Sequence, residues 1–192
     1  STLDDEPVLL FEKQEAWRAW LDNNHGCASG VWVRLAKKTS GKRSVSYGEV
    51  LEVALCYGWI DGQKKSDSEH YWLQKFAPRS KSSSWSSINR GKALAVIERG
   101  QMEPAGLQAI ERAKSNGRWD AAYDSPSRAT VPVDFQAALD ANAKAQAFFA
   151  KLDGQNRYAV LFRIQAAKTA KTRARRIQQF TQMLARHEKL HP

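Results

Sequence analysis

Hydrophobic residues recur with helical spacing near the start of the chain and with strand spacing soon after it. Trp17, Trp20 and Leu21 fall on one side of a helix that we predict over residues 11–23. Residues 31–36 place β-branched side chains at alternate positions and end before a polar stretch that contains glycine, which is typical of a strand. The chain therefore begins with a mixture of helix and strand.

A buried helix and a hairpin follow. Ser46 and Glu49 have the spacing of a capping box, in which each side chain accepts a hydrogen bond from the backbone amide of the other residue. The apolar run after them predicts a helix that continues to about Tyr57. Residues 59–64 and 71–76 are short extended segments joined by polar residues, so we expect an antiparallel pair of strands.

The remainder of the chain has helical patterns without strand signals. One helix is predicted to end at Gly100, and the next to run from Pro104 to Gly117. A linker over residues 118–132 precedes four further helices. These helices are expected at residues 134–141, 143–152, 155–167 and 172–188.

This order of elements predicts an α+β fold, in which a small antiparallel sheet packed with helices is followed by an all-helical C-terminal module. We place the boundary in the proline-containing linker. Residues 1–130 would then form an α+β domain with a tryptophan-rich polar surface, and residues 131–192 a basic helical module. A chain of 192 residues is long enough for this arrangement to bury a core.

Positive charge is concentrated towards the C-terminal end. The net charge is +10, and residues 131–192 hold 11 Lys and Arg against four Asp and Glu. Such an excess favours an anionic partner, which could be nucleic acid, anionic lipid or an acidic protein. The alternative is a solvated basic helix face that only maintains solubility.

Composition narrows the class of protein. No run approaches the roughly 18 apolar residues of a membrane span, so no membrane insertion is expected. The acidic start of the chain is unlike a secretion signal, and we expect a cytoplasmic protein. Two cysteines and four scattered histidines predict neither a disulfide framework nor a metal site, and no cofactor is implied.

Large aromatic side chains lie close to polar ones between residues 56 and 89, which is typical of a binding surface. For Trp59, Trp72 and Trp85 the alternative is a core position with a satisfied indole N–H. The ligand-binding candidates are Trp59, Asp61, Gln63, Lys64, Trp72, Gln74, Arg79, Ser84, Trp85, Ser86 and Asn89.

No catalytic set is recognised in this segment, and Asp61 is the single candidate acid or base. The alternative is that Asp61 caps a turn or pairs with Lys64 or Arg79. The serines at 84–87 favour the capping of a helix, although a helix start beside Arg79 could also bind an anion. The sequence has no phosphate loop, metal-binding helix or nucleophile elbow.

A basic face is predicted on the last two helices. Its side chains would contact phosphate or lipid head groups if they are exposed together, and the alternative is ordinary solvated surface. The residues are Arg157, Arg163, Lys168, Arg173, Arg175 and Arg176.

Eight short motifs give the chain a resemblance to a known family. They are residues 44–47 (SVSY), 54–63 (ALCYGWIDGQ), 73–79 (LQKFAPR), 84–86 (SWS) with Asn89, 119–123 (WDAAY), 156–158 (NRY), 173–177 (RARRI) and 189–192 (KLHP). With these motifs the chain resembles, over residues 8–192, the YdeI/OmpD-associated family, often called bacteriocin-protection proteins. A small departure is Ala77, where the family usually has Thr.

The resemblance implies an α+β N-terminal region followed by a helical C-terminal segment. It also implies a link to tolerance of bacteriocins and antimicrobial peptides. That label describes a phenotype, and the family carries no assigned biochemical activity.

Three functions are compatible with these features. We favour a non-enzymatic cytoplasmic binding protein linked to tolerance of bacteriocins, antimicrobial peptides or envelope stress, with an anionic ligand or a protein as its partner. The first alternative is a nucleic-acid-binding protein that uses the basic face. The second is an enzyme that acts on a small anionic substrate, with Asp61 as base and Arg79 as anion clamp.

Overall fold

The computed structural model describes residues 6–126 and 128–192 and divides the chain into two compact units. The first unit consists of the chain up to Ser83 together with Gly91–Ala113, and the second consists of Ser84–Arg90 and Lys114–Pro192. The predicted α+β class is confirmed, because the first unit contains a sheet packed with helices and the described residues after 132 form helices without strands.

The helices and strands have the following bounds. In chain order the elements are β1 (Val8–Leu10), α1 (Gln14–Asn24), β2 (Val31–Ala36), α2 (Tyr47–Cys56), β3 (Trp59–Ser66), β4 (Tyr71–Pro78), α3 (Ser87–Glu98), α4 (Pro104–Ser115), α5 (Val133–Asp140), α6 (Ala143–Phe149), α7 (Gly154–Gln165) and α8 (Ala170–Ala185).

Within the described residues, four strands form one sheet in the order β1-β2-β4-β3. β4 is antiparallel to both β2 and β3, which confirms the predicted hairpin. The expectation of a purely antiparallel sheet is corrected by β1, which lies parallel to β2 at the edge. Three residues are too few for an alternating pattern to be recognised in the sequence.

Aromatic rings fill the core between the sheet and α1. Trp17 is fully buried, and its ring centroid lies 5.6 Å from that of Trp20 and 5.9 Å from that of Phe76. Trp59 meets Trp20 edge to face at 5.9 Å. The indole N–H of Trp17 donates to the carbonyl of Val50 at 3.0 Å, so burial of this large ring leaves its one polar group satisfied.

The predicted capping box fixes the start of α2. The Ser46 hydroxyl accepts a hydrogen bond from the Glu49 amide at 3.2 Å, and the Glu49 carboxylate accepts one from the Ser46 amide at 3.0 Å. At the other end, Gly58 has a φ of +73°, which lets the chain turn from the helix into β3. The position of Tyr47, the first residue of α2, is therefore set by local hydrogen bonds.

α4 packs closely against the end of α2. A Cβ atom at Gly106 would lie 2.3 Å from the carbonyl oxygen of Cys56, so the two backbones meet without room for a side chain. The amide of Glu103 donates to the same carbonyl at 3.1 Å. Cys56 itself is buried with a free thiol, and burial raises the pKa of that thiol.

The second unit has its own core, built by helices α5 to α8. Phe135 and Phe149 meet edge to face with centroids 5.4 Å apart. The other buried members of this core are Leu139, Ala145, Val160, Leu161, Ile164 and Leu184. The four helices predicted here are confirmed, with ends that differ by a few residues.

The predicted linker over residues 118–132 lies within the second unit. Trp119 is buried, with its ring centroid 5.0 Å from that of Trp85. Tyr123 pairs by backbone hydrogen bonds with the segment before α3, donating to the Trp85 carbonyl at 3.1 Å and accepting from the Ser87 amide at 2.7 Å. This stretch is therefore held in place by buried rings and a short β-bridge with Ser86.

A buried asparagine holds the C-terminal residues against α7. The side-chain oxygen of Asn156 accepts from the His191 amide at 2.8 Å, and its Nδ2 donates to the His191 carbonyl at 3.2 Å. Two of the motifs in the sequence, at 156–158 and 189–192, are joined by these bonds. No helix in the described part of the chain is long and apolar enough to cross a membrane.

Candidate functional site

The sequence-predicted binding residues fall in both units. Ser84, Trp85, Ser86 and Asn89 belong to the second unit, and the other seven belong to the first. The seven are Trp59, Asp61, Gln63, Lys64, Trp72, Gln74 and Arg79.

Four of the predicted binding residues lie in the interior. Trp59, Gln74, Arg79 and Trp85 are each at most 6% exposed. For the two tryptophans this is the core position that the sequence offered as the alternative. The surface part of the predicted site in the first unit therefore consists of Asp61, Gln63, Lys64 and Trp72, which are half-buried or exposed.

The buried Gln74 supports an irregularity in β3. Its Nε2 donates to the carbonyls of Gly62 at 2.9 Å and Gln63 at 3.2 Å, where the pairing of β3 with β4 shifts register. Gln74 thus contributes to the candidate site by holding the backbone of the neighbouring strand.

The register shift puts two charged side chains on the same face of the sheet. Residues three apart in a regular strand point to opposite faces. Here Asp61 pairs with Phe76 and Lys64 pairs with Gln74, and these two partners are two residues apart on β4. Asp61 and Lys64 therefore share a face, as a β-bulge allows. Trp72 lies on that face too, because it follows the same alternation along β4.

Tyr47, Asp61, Lys64 and Trp72 meet on this face, and we call them the Asp61 cluster. The Tyr47 hydroxyl donates a hydrogen bond to Oδ2 of Asp61. The rings of Tyr47 and Trp72 lie 6.3 Å apart, and Nζ of Lys64 is 5.3 Å from the centroid of Trp72. Asp61 thus accepts a hydrogen bond from Tyr47 of α2, while the ammonium of Lys64 lies over the ring of Trp72.

Tyr47 is the member that sequence reasoning missed. It is the first residue of α2, directly after the N-cap Ser46, and the ring is half-buried. The capping box predicted the position of this residue in the chain, and the residue lies in the SVSY motif. What the sequence did not show is the register of β3, which brings Asp61 beneath the hydroxyl.

The serine-rich segment before α3 caps that helix. The hydroxyl of Ser86 accepts from the Asn89 amide at 3.0 Å, as the capping interpretation predicts. Ser84 is exposed at this end. Binding of an anion here stays a prediction.

Most arginines of the predicted basic face are hydrogen-bonded within the second unit. Arg157, Arg163 and Arg176 donate to backbone carbonyls at 3.1, 3.0 and 2.6 Å. Arg173 donates to both carboxylate oxygens of Asp134, at 2.6 and 2.9 Å, which lowers the pKa of Asp134 and raises that of Arg173.

Lys168 and Arg175 are the members of the predicted basic face that are exposed. Nucleic-acid binding through this face stays a prediction. For metal binding, the described residues contain no group of three or more His, Cys, Asp or Glu side chains that could hold an ion.

Comparison with family models covers most of the chain. Residues 9–109, just over half of its length, match the family described as Domain of unknown function (DUF8412). The chain belongs to the DUF8412 family. Residues 128–187 match the family described as Bacteriocin-protection, YdeI or OmpD-Associated, which confirms the resemblance over the C-terminal part. No curated protein and no solved structure matches the chain.

The two matches cover different features. The Asp61 cluster lies within the DUF8412 range, whose description names no function. Helices α5 to α8 lie within the range matched by the bacteriocin-protection family.

Proposed function

We propose that this protein is a non-catalytic binding protein in tolerance to bacteriocins or other antimicrobial peptides, and that it binds a cationic group of its ligand at the Asp61 cluster. The family description of residues 128–187 supports the link to bacteriocins. The chemistry of the Asp61 cluster supports the choice of a cation, since it combines a carboxylate with two aromatic rings.

The position of Lys64 is the observation that carries this proposal. Its ammonium lies 5.3 Å from the centroid of Trp72, on the face of the sheet that also holds Asp61. An ammonium over an indole ring gains about 0.5–1 kcal/mol at an exposed site and more when water is excluded. The ring therefore accepts a cation in this position, and an ammonium or guanidinium from a peptide would find the same attraction there.

Asp61 adds charge to this attraction. Tyr47 donates to Oδ2, and no other hydrogen bond to the Asp61 carboxylate is formed by the described residues. The Tyr47 hydrogen bond orients the carboxylate and leaves Oδ1 available for a ligand. A charge-assisted hydrogen bond is about twice as strong as a neutral one, so it would favour a cation over a neutral group of the same shape.

The charge of the first unit is compatible with a cationic ligand. Lys and Arg number 15 in this unit against 14 Asp and Glu, so its net charge is +1. Long-range repulsion of a cationic peptide by this unit is therefore small.

The test is calorimetric titration with a short synthetic lysine-rich peptide, compared with the same peptide acetylated on every lysine. We expect saturable binding of the charged peptide alone. Asp61→Asn should weaken that binding at least about 10-fold, because a hydrogen bond to a charged group contributes about 1.5–3 kcal/mol. Trp72→Ala should weaken it as well. Equal binding of the acetylated peptide, or full affinity in both variants, would refute the site.

A further inference from the structure

The second unit has an open groove between α8 and the end of α5. Its volume is about 410 Å³. Its walls include Ala138, Ala141, Ala174, Ile177, Gln178 and Gln182. None of the groove-lining residues is ionised, and Ile177 also packs against the core of the unit.

The side chains of the groove suit a helical ligand. Alanines on both walls, Ala138 on α5 and Ala174 on α8, allow another backbone to approach closely. A groove between two helices that presents apolar and amide groups is the kind of surface that takes the apolar side of an amphipathic helix. The volume falls in the range of about 300–1,000 Å³ found for ligand sites.

Charge indicates the chemistry of the partner. The second unit has 15 Lys and Arg against six Asp and Glu, a net charge of +9, which is nearly all the charge of the chain. Lys171 and Arg175 are exposed on α8. Lys171 comes seven positions before the groove residue Gln178, and Arg175 comes seven positions before the groove residue Gln182. Seven residues are about two turns, so both cations lie on the same side of α8 as the groove wall.

The carboxylates near the groove are hydrogen-bonded within the unit. Asp134 accepts both hydrogen bonds from Arg173. Asp140, the residue before Ala141, accepts from the side chain of Gln136 at 2.8 Å. Asp134 is neutralised by its ion pair with Arg173, whereas Asp140 keeps its negative charge because Gln136 is neutral. The two exposed cations of α8, Lys171 and Arg175, outnumber this one carboxylate, so the balance of these charges is positive.

We propose that this groove docks an amphipathic helix of an acidic partner protein. The apolar side chains of that helix enter between Ala138 and Ala174, and its carboxylates face Lys171 and Arg175. A second copy of this chain is a poor occupant, since it would bring a unit of +9 against another of the same charge. This proposal concerns the second unit and does not depend on the Asp61 cluster.

The test uses two fluorescently labelled synthetic peptides with leucines at helical i, i+3, i+4 and i+7 spacing. One carries glutamate at the remaining positions, and the other carries lysine there. In anisotropy titrations of the full chain, we expect the glutamate peptide to bind at least about 10-fold more tightly than the lysine peptide, with an affinity that falls as salt is added.

Two sets of variants locate the site. Ala174→Trp fills the groove from an exposed position, so the variant should fold normally. Its binding of the glutamate peptide should be at least about 10-fold weaker than that of the wild type. Ala147→Trp, an exposed alanine of α6 outside the groove, is the matched control and should leave binding unchanged. Joint replacement of Lys171 and Arg175 by Glu should weaken binding and flatten its salt dependence.

Four outcomes would overturn the proposal. They are no saturable binding of the glutamate peptide, equal binding of the two peptides, unchanged binding after Ala174→Trp, and a dimer of the chain that Ala174→Trp dissociates. The last outcome would assign the groove to a second copy. If Ala174→Trp fails to fold by circular dichroism, Ala138→Trp fills the groove from the opposite wall and the same readings apply.

Discussion

Replacement of Gly106 by alanine should destabilise the first unit, since the new Cβ would lie 2.3 Å from the Cys56 carbonyl oxygen and 2.4 Å from the sulfur of Met102. The methionine side chain can move aside, but the carbonyl belongs to the end of α2 and also accepts from Glu103. Overpacking of this kind costs about 1–3 kcal/mol. Alanine in a helix recovers about 0.5–1 kcal/mol relative to glycine. Because the clash is with backbone, the upper part of the overpacking range applies, about 2–3 kcal/mol, and we expect a net loss of about 1–2.5 kcal/mol in the free energy of unfolding.

The matched control is Gly91→Ala. Gly91 lies inside α3, and an added Cβ there would have no heavy atom within 4 Å. This change should raise the free energy of unfolding by about 0.5–1 kcal/mol. Urea unfolding followed by circular dichroism and tryptophan fluorescence gives both values, and an unchanged urea slope shows that stability alone has changed. If Gly106→Ala is as stable as the wild type, the close approach of α4 to α2 is wrong.

Three other changes test particular contacts. Arg173→Ala should raise the pKa of Asp134, because the carboxylate loses its ion pair. In the wild type this ion pair stabilises the unit at pH values above the unfolded pKa of about 3.9, and the stabilisation is lost as the pH falls through the lower folded pKa. NMR titration of the carboxyl group measures the pKa, and an unchanged value would contradict the ion pair. Asn156→Ala should release the His191 amide to faster hydrogen exchange, and retained protection would show that the tail is held otherwise. Ser46→Ala should lower the free energy of unfolding by about 1 kcal/mol, and a smaller loss than about 0.3 kcal/mol would speak against the capping box.

Local patterns in the sequence predicted local structure well. The capping box of Ser46 and Glu49, the strand at Val31–Ala36 and the hairpin of β3 and β4 are all confirmed. The capping box and the hairpin rest on interactions between residues close in sequence, and Val31–Ala36 is long enough to show its own alternation, so each signal lies in a short stretch of chain. The parallel strand Val8–Leu10 was missed because its three residues are too few to show such a pattern.

The candidate site depends on contacts that the sequence does not display. Trp59 and Trp72 both lie among polar residues, yet one is in the core and the other is half-buried, since their exposure depends on which helices cover each position. The Tyr47–Asp61 contact requires the register shift in β3. Gly62, inside a strand pattern, was the one local sign of that irregularity.

The sequence predicted how much positive charge the C-terminal part carries, but not which contacts its basic side chains make. The sequence showed that the basic residues gather towards the C-terminal end. It did not show that Arg157, Arg163, Arg173 and Arg176 donate to groups of the same unit. Arg173 reaches Asp134 of α5, and Arg176 reaches a carbonyl of α7, so these two contacts exist only after the helices have packed.

The central claim is that the Asp61 cluster binds a cation in the place that Lys64 occupies, and two neighbouring lysines offer the most direct test. Lys64 lies over Trp72 on the face of the cluster, whereas Lys65 lies 4.7 Å from the centroid of Trp32 on the opposite face of the sheet. Lys64→Ala and Lys65→Ala each remove one positive charge. Only Lys64→Ala removes the ammonium that lies over the Trp72 ring of the Asp61 cluster.

The measurement is the affinity of the lysine-rich peptide for these two variants and the wild type by calorimetry. We expect Lys64→Ala to bind about 2- to 5-fold more tightly than Lys65→Ala, because the ligand no longer displaces a cation–π contact of about 0.5–1 kcal/mol. Equal affinities for the two variants, or weaker binding by Lys64→Ala, would contradict a cation site at the Asp61 cluster.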